Sequence, residues 1–241
     1  MAITQTKALE RCINLAVKVG VEEDQLRRFL NAGYVPQPKQ MEFHALARLA
    51  DSPDGPDRIG YGGTRGMAKS HSIIAQAIID DMQRCDELKG LYLRQIQRRA
   101  QESFEDLRRK ILAFTPHSHK QGLLRLANDS FIVLGGFHRE SEIDNYLGLE
   151  YDFAILEDAT TLSKSKYDAI RGSVRSSRDD WRPRVYASAN PGGVGHGWYT
   201  NEFINDKSGQ TAFVHTTMGD KVFINSEYED YLNGVAGFLR R

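Results

Sequence analysis

The segment Tyr61-Gly62-Gly63-Thr64-Arg65-Gly66-Met67-Ala68-Lys69-Ser70 holds the residue types that grip phosphate. Glycines let successive backbone N–H groups turn toward phosphate oxygens. A lysine reaches the β- and γ-phosphates, and a Ser/Thr hydroxyl ligates Mg2+. Counted from Gly63, the pattern is G-x-x-x-x-A-K-S, so Ala68 stands where a P-loop has its second glycine. A glycine-rich turn capping an ordinary helix is the simpler alternative. Nucleotide binding is favoured because a short apolar run precedes the segment and a helix-like one (Ile73, Ile74, Ala77, Ile78) follows it.

Two further clusters add chemistry. In YDFAILEDAT, the apolar run Phe153 to Leu156 ends in Glu157 and Asp158. A buried strand ending in paired carboxylates is the Walker B arrangement, where one acid serves Mg2+ and the next polarises the attacking water. A strand with a polar exit would read the same way on its own; downstream of a P-loop the pair gains meaning. In VYASANPGGVGHGWYTNEFI, a β-run ends in Ser188-Ala189-Asn190, then a glycine turn, then an aromatic-bearing helix. Ligands of open α/β sheets bind at the carboxyl ends of strands, where small polar residues sense a γ-phosphate. Asn-Pro-Gly-Gly is also simply a good turn.

These groups need elements to carry them. Apolar runs at 59–61, 91–93, 131–134, 153–156, 185–187 and 212–216 read as strands. Helix-like stretches lie between several of them, at 69–84, 97–112 and 162–173. Such alternation predicts an α/β fold with a mostly parallel sheet. Residues 122–127 and 130–134, joined by Asn128-Asp129, suggest a hairpin, and three helical stripes fill the first fifty positions. The tail from Ser226 to Arg241 reads as one more helix.

Composition sets outer bounds. The chain has 241 residues, 40% apolar and 27% charged, which is ordinary globular usage and excludes disordered and collagen-like classes. Lys plus Arg equals Asp plus Glu at 32 each, so any nucleic-acid role rests on local patches. Cys12 and Cys85 form no CxxC pair, as expected in a reducing compartment. No apolar run approaches the length of a membrane span, and MAITQTKALERC is no signal peptide. A cytoplasmic protein is the expectation.

Taken in order, these motifs resemble the ATPase half of the tailed-phage terminase large subunits, the DNA-packaging motors. The resemblance runs over about residues 34–239. It rests on a GG-x-R-G-x-x-K-S type Walker A (Gly62 to Ser70), a Walker B run (Ile155 to Asp158) and a coupling motif. The coupling motif, Ser188-Ala189-Asn190, continues through Pro191-Gly192-Gly193 to His196-Gly197-Trp198 and is the most specific of the three. The resemblance implies a P-loop NTPase fold of the RecA-like class. It divides the chain into helices with an adenine-side motif (1–57), an ATPase core (58–218) and a lid or linker segment (219–241). It implies ATP and Mg2+ as cofactors, with nucleotide held by Gly62, Gly63, Thr64, Arg65, Gly66, Met67, Ala68, Lys69 and Ser70. An adenine-side P-x-x-x-Q motif fits Pro36 to Gln40, with Gln40 reading the base and Phe43 or Tyr34 packing on it. Ser70 and Glu157 are the expected Mg2+ residues, and Lys69, Glu157 and Asp158 the catalytic ones.

Two departures bear on mechanism. Most relatives end Walker B in Asp-Glu, whereas here the acids are swapped. Glu157 then falls on the metal side and Asp158 on the water side, though Glu157 could instead do the base work. An arginine finger is expected where many relatives carry Arg-Gly, yet Leu147-Gly148 stands there. Arg139 acting in trans is the favoured replacement, ahead of Arg65, Arg171, Arg175 and Arg178. The basic stretch 94–110 reads as a solvated helix bearing Arg94, Arg98 and Arg109. Arg171, Arg175 and Arg178 are the better DNA or subunit contacts.

The implied partners are double-stranded DNA, a small terminase subunit and the portal of a procapsid, in the host cytoplasm. The motor assembles as a homo-oligomeric ring and is a monomer as an isolated fragment. No nuclease activity is expected, because no later acidic cluster follows. Another RecA-like or helicase-type motor, or a hydrolysis-deficient nucleotide-gated assembly module, are the alternatives.

Overall fold

The computed structural model describes residues 2–66, 68–95, 101, 102, 104, 105, 109, 112, 116–120, 122–137 and 139–220. Three helices, α1 (Ala2–Val19), α2 (Glu23–Asn31) and α3 (Pro38–Leu49), lead into strand β1 (Arg58–Gly63). Helix α3 starts where it does for two local reasons. Pro38 sits in its first turn, where no N–H is needed, and Gln40 Oε1 accepts the Gln37 N–H at 2.7 Å.

Helix α4 (Lys69–Ala75) follows the glycine-rich loop and widens into a π-helical stretch, Gln76–Asp81, before a final turn, Met82–Arg84. The single regular helix expected over 69–84 is thus broken into three pieces. Strands β2 (Lys89–Arg94), β3 (His117–Lys120), β4 (Leu123–Leu126), β5 (Phe131–Gly136), β6 (Phe153–Leu156), β7 (Arg184–Ala189) and β8 (Thr211–Thr216) complete one sheet. Its order is β3-β4-β5-β2-β6-β7-β1-β8. All pairings from β5 to β8 are parallel, and β3-β4-β5 form an antiparallel edge. The expected hairpin is the β4-β5 pair.

Parallel strands are covered on both faces, so they read as unbroken apolar runs. Every residue of β6 and of β7 is buried. Alternate side chains enter two different cores. Tyr61, Tyr92, Ile155 and Tyr186 face helices α3 and α4, with Phe29, Phe43 and Ile74. Leu93, Leu156, Val185 and Ala187 face the other layer, with Tyr167, Ile170, Tyr199 and Phe203. Helix α1 packs on α3 through Cys12, Ala16, Met41 and Ala45.

The expected tail helix from Ser226 onward lies outside the described residues, as do Met67, Arg98 and residues 221–241 of the expected lid segment. Arg94 is a correction. It closes β2 rather than opening a helix, because β2 pairs with β5 as far as Arg94↔Gly136.

Candidate active site

The register brings the motifs together. Strand β7 lies between β1 and β6, with Gly62↔Ala189 on one side and Leu156↔Ala187 on the other. Three parallel strands therefore release their carboxyl ends side by side: β1 into the glycine-rich loop, β6 into Glu157-Asp158, and β7 into Asn190. A cleft of about 640 Å³ opens over these ends. Arg65, Lys69, Ser70, Arg94, Glu157 and Asp158 line it, together with Ser188 and Asn190.

The loop after β1 is held by backbone geometry. Gly63 has φ +118°, and a Cβ there would stand 2.0 Å from the Thr216 carbonyl oxygen, so only glycine fits. Thr64 N–H donates to that same oxygen at 3.1 Å. Gly66 has φ +74° and Ala68 φ +51°. Ala68 thus adopts the left-handed backbone that the missing glycine would supply.

Lys69 is buried, and its ammonium donates to the carbonyl oxygens of Thr64 at 2.8 Å and Gly63 at 3.3 Å. It also donates to Asn190 Oδ1 at 3.1 Å. Asn190 Nδ2 in turn donates to Asp158 Oδ1 at 2.7 Å. One amide therefore ties Lys69 to Asp158. The Asp158 N–H donates to Ser188 Oγ at 3.2 Å. Asp158 has φ +53° and stands half-exposed in the cleft.

Glu157 is buried, with its two oxygens in different company. Oε1 accepts the Ser70 hydroxyl and Oε2 the Tyr92 phenol. Burial, reinforced by the Glu157 charge, holds the Tyr92 phenol well above its ordinary pKa, so it remains a donor. Arg94 reaches both acids, with Nη1 3.4 Å from Glu157 Oε2 and Nη2 3.3 Å from Asp158 Oδ2. Tyr92 and Arg94 are not among the expected site residues. Both lie at the end of a strand beside β6, where the Glu157 N–H donates to Leu93 O at 2.9 Å, and that adjacency is set by strand order rather than by any local sequence signal.

The glycine turn after Asn190 packs on the segment that follows Glu157-Asp158. Gly195 N–H donates to Thr160 O at 2.8 Å, Trp198 Nε1 to Leu162 O at 2.8 Å, and Thr160 Oγ1 to Asn190 O at 3.3 Å. A Cβ on Gly195 would lie 2.4 Å from Leu162 O. Trp198 stacks on Tyr167 with centroids 4.4 Å apart.

Other expected residues lie elsewhere. Gly62 and Ala189 are buried strand ends beside a smaller pocket with His196 and His215. Gln40 lines a separate cleft of about 250 Å³ with Tyr34, Gln37, Ala68 and His71. Ala68 borders both clefts. Phe43 cannot pack on a base: it is fully buried and stacked on Tyr61, 5.2 Å between centroids. Arg139 is exposed and precedes a 3-10 helix, Glu140–Tyr146, away from the cleft lining. Arg171 and Arg175 border a cleft of about 650 Å³ at the opposite, amino-terminal ends of the strands, with Arg58 and Arg184. Arg178 is not part of that lining, and each of the three expected contact arginines faces an acid: Arg171 faces Glu202 at 3.7 Å, Arg175 Glu150 at 2.9 Å, and Arg178 Asp180 at 2.7 Å.

Solved structures share this fold. The large terminase of a thermophilic bacteriophage, in complex with ADP, superimposes with a TM-score of 0.68 at 17% identity, over 82% of this chain and 49% of that one. The HK97 bacteriophage large terminase gives 0.55 at 16%, over 82% and 42%. The ATPase domain of the Thermus phage P74-26 large terminase gives 0.54 at 19%, over 80% and 84%. The chain thus spans about half the length of the thermophilic-phage protein it matches. A search of curated protein sequences gives no match. The family model for the phage terminase large subunit matches residues 58–235, from the first residue of β1 through all three motifs. The chain therefore belongs to the phage terminase large-subunit family.

Proposed function

We propose that this chain is the ATPase motor domain of a terminase large subunit, coupling ATP hydrolysis to translocation of double-stranded DNA into a procapsid. The observation that carries the reading is the convergence of Lys69-Ser70, Glu157-Asp158 and Asn190 in one cleft at the ends of three neighbouring parallel strands. The glycine-rich loop offers backbone N–H groups to phosphate oxygens, and Lys69 neutralises charge on the β- and γ-phosphates. Gln40, in the adjoining cleft, supports an adenine-side contact.

The donor set suits Mg2+. Ser70 Oγ and Glu157 are hard oxygen ligands in direct contact, and Mg2+ bound with nucleotide needs only one or two protein ligands. When bound there, the ion supplies positive charge to the phosphate oxygens. The deeper placement of Glu157, against Ser70, supports its metal-side role. The half-exposed Asp158, positioned by Asn190 and Arg94, supports the water-orienting one. The contacts of Asn190 with both Lys69 and Asp158 support a role in passing the state of the phosphate site to the turn at 191–198.

Double-stranded DNA, a small terminase subunit and a portal are the partners in this reading, with a ring of subunits assembling in the host cytoplasm. The helical segment, core and lid boundaries at 57/58 and 218/219 belong to the same proposal. A nuclease step does not. Among the described residues no helix is long and apolar enough to cross a membrane.

Phosphate release by the wild-type protein and Lys69→Ala tests the reading. Loss of the lysine is expected to lower turnover by on the order of 10²-fold or more. Equal, slow release from both proteins would overturn the motor reading, and nucleotide binding without release from either would favour an assembly module.

A further inference from the structure

Arg94 is a cation that reaches both acids. Its guanidinium spans Glu157 and Asp158 while being largely buried, with 19% of its side chain exposed. The backbone fixes this placement, because β2 and β6 run in parallel register and Arg94 emerges one residue beyond the Leu93↔Leu156 pair. Glu157 is also fixed from its other oxygen by Ser70, and from below by Tyr92. Two adjacent carboxylates at a strand end repel each other, and a planar, permanently charged fork is the group that can bridge them.

We propose that Arg94 is a positioning residue that holds the positive charge beside Glu157 and yields it when metal and nucleotide bind. The proposal deepens the reading of this cleft as a Mg2+–nucleotide site and rests on it. Ser70 and Glu157 are the metal-side groups, and Arg94 lies 3.4 Å from the same carboxylate. A guanidinium and a divalent cation on one carboxylate repel each other, so the two compete. Asp158 lies on the far side of the fork and Asn190 steadies it, so Arg94 can release Glu157 while keeping Asp158. Release leaves the guanidinium in the cleft that Lys69 and Arg65 also line, where it adds to the charge facing phosphate. The strand end thus links metal occupancy of Glu157 to the position of Asp158.

The competition predicts a change in metal dependence that a purely structural arginine would not produce. Binding of a fluorescent N-methylanthraniloyl ADP to the 241-residue chain is measured across a Mg2+ titration, for wild type, Arg94→Ala, Arg94→Gln, Arg94→Lys and Lys69→Ala. Removing the competing cation is expected to lower the half-saturating Mg2+ concentration by about tenfold in Arg94→Ala and Arg94→Gln. Arg94→Lys, which keeps the charge without the fork, is expected to fall between these and wild type. Thermal unfolding of each variant checks folding, and if Arg94→Ala is unfolded the Gln and Lys variants decide. An unchanged or higher Mg2+ requirement in folded Arg94→Ala or Arg94→Gln, with binding still lost in Lys69→Ala, overturns the Arg94 role and leaves the nucleotide reading standing. Wild type and Lys69→Ala binding the probe equally, or neither binding it, removes the nucleotide reading and the Arg94 role with it.

Discussion

Among single residues, Ala68 departs most plainly from a P-loop and the backbone shows what the departure costs. Its φ of +51° lies in the left-handed region, where a Cβ crowds the following carbonyl by roughly 1–2 kcal/mol. The residue is exposed, so its methyl group contributes little packing in return. Ala68→Gly is therefore expected to stabilise the chain by up to about 1 kcal/mol without weakening nucleotide binding, and Ala68→Val to destabilise it. Urea midpoints of the two variants check the order; a Val variant as stable as the Gly variant would sink the argument. The residue types that make a phosphate site were readable because their chemistry is local. Arg94 was not, because its partners are distant in the chain and the run of arginines after it imitates a solvated helix.

Among elements, the junction of α2, α3 and α4 carries a dense buried polar network. The π-helical stretch turns Gln76, Asp80 and Asp81 inward together, all fully buried. His44 Nδ1 donates to Gln76 Oε1 at 2.8 Å, so its Nε2 accepts the Tyr34 hydroxyl at 3.0 Å. Arg48 pairs with Asp80 at 2.7 Å, and the Tyr186 hydroxyl donates to Asp81 at 2.7 Å. Burial lowers the His44 pKa from 6.5 to about 4. The unfolded chain then binds the proton first, and the contribution of neutral His44 is lost as pH falls from about 6.5 to 4. Asp81 works against this: burial raises its pKa, so its carboxyl favours the folded state as pH falls. His44→Gln removes only the histidine slope. Its stability relative to wild type is expected to improve by about 3 kcal/mol between pH 7 and pH 4. Parallel pH profiles in denaturant titrations would show that His44 does not titrate in this window. Seven of the eight strands were legible, from the six apolar runs and the hairpin, whereas β3 carries no apolar run and was not. The π-helical stretch was not, because periodicity alone does not separate it from a regular helix.

For the whole molecule, the exposure of Arg139 sets the question. It stands outside the cleft lining, where a residue serving a neighbouring subunit has to stand. If it is the finger of an assembled ring, Arg139→Ala and Lys69→Ala subunits mixed in a proven oligomer should regain part of the phosphate release that each lacks alone. The intact lysine of one then meets the intact arginine of the other. No recovery in such an oligomer would remove the trans role. The basic segment at 171–178 has a different relation to the site. Arg171 and Arg175 lie at the amino-terminal ends of the strands, so a partner held there would be separated from the cleft at the carboxyl ends by the length of the strands.

The sequence by itself determined the glycine-rich loop, the paired acids, the Ser-Ala-Asn exit and the strand-helix alternation, because each depends on residue type and short spacing. It also carried the family, through the long glycine-rich third motif. Only the tertiary structure decided which strand ends meet. Placing β7 between β1 and β6 makes Asn190 the bridge from Lys69 to Asp158. Placing β2 beside β6 puts Tyr92 on Glu157 and Arg94 on both Glu157 and Asp158. Burial of Phe43 against Tyr61 removes it from the base-packing role the sequence suggested. Strand order and register are set by packing on both faces of the sheet, which no local window of the chain records.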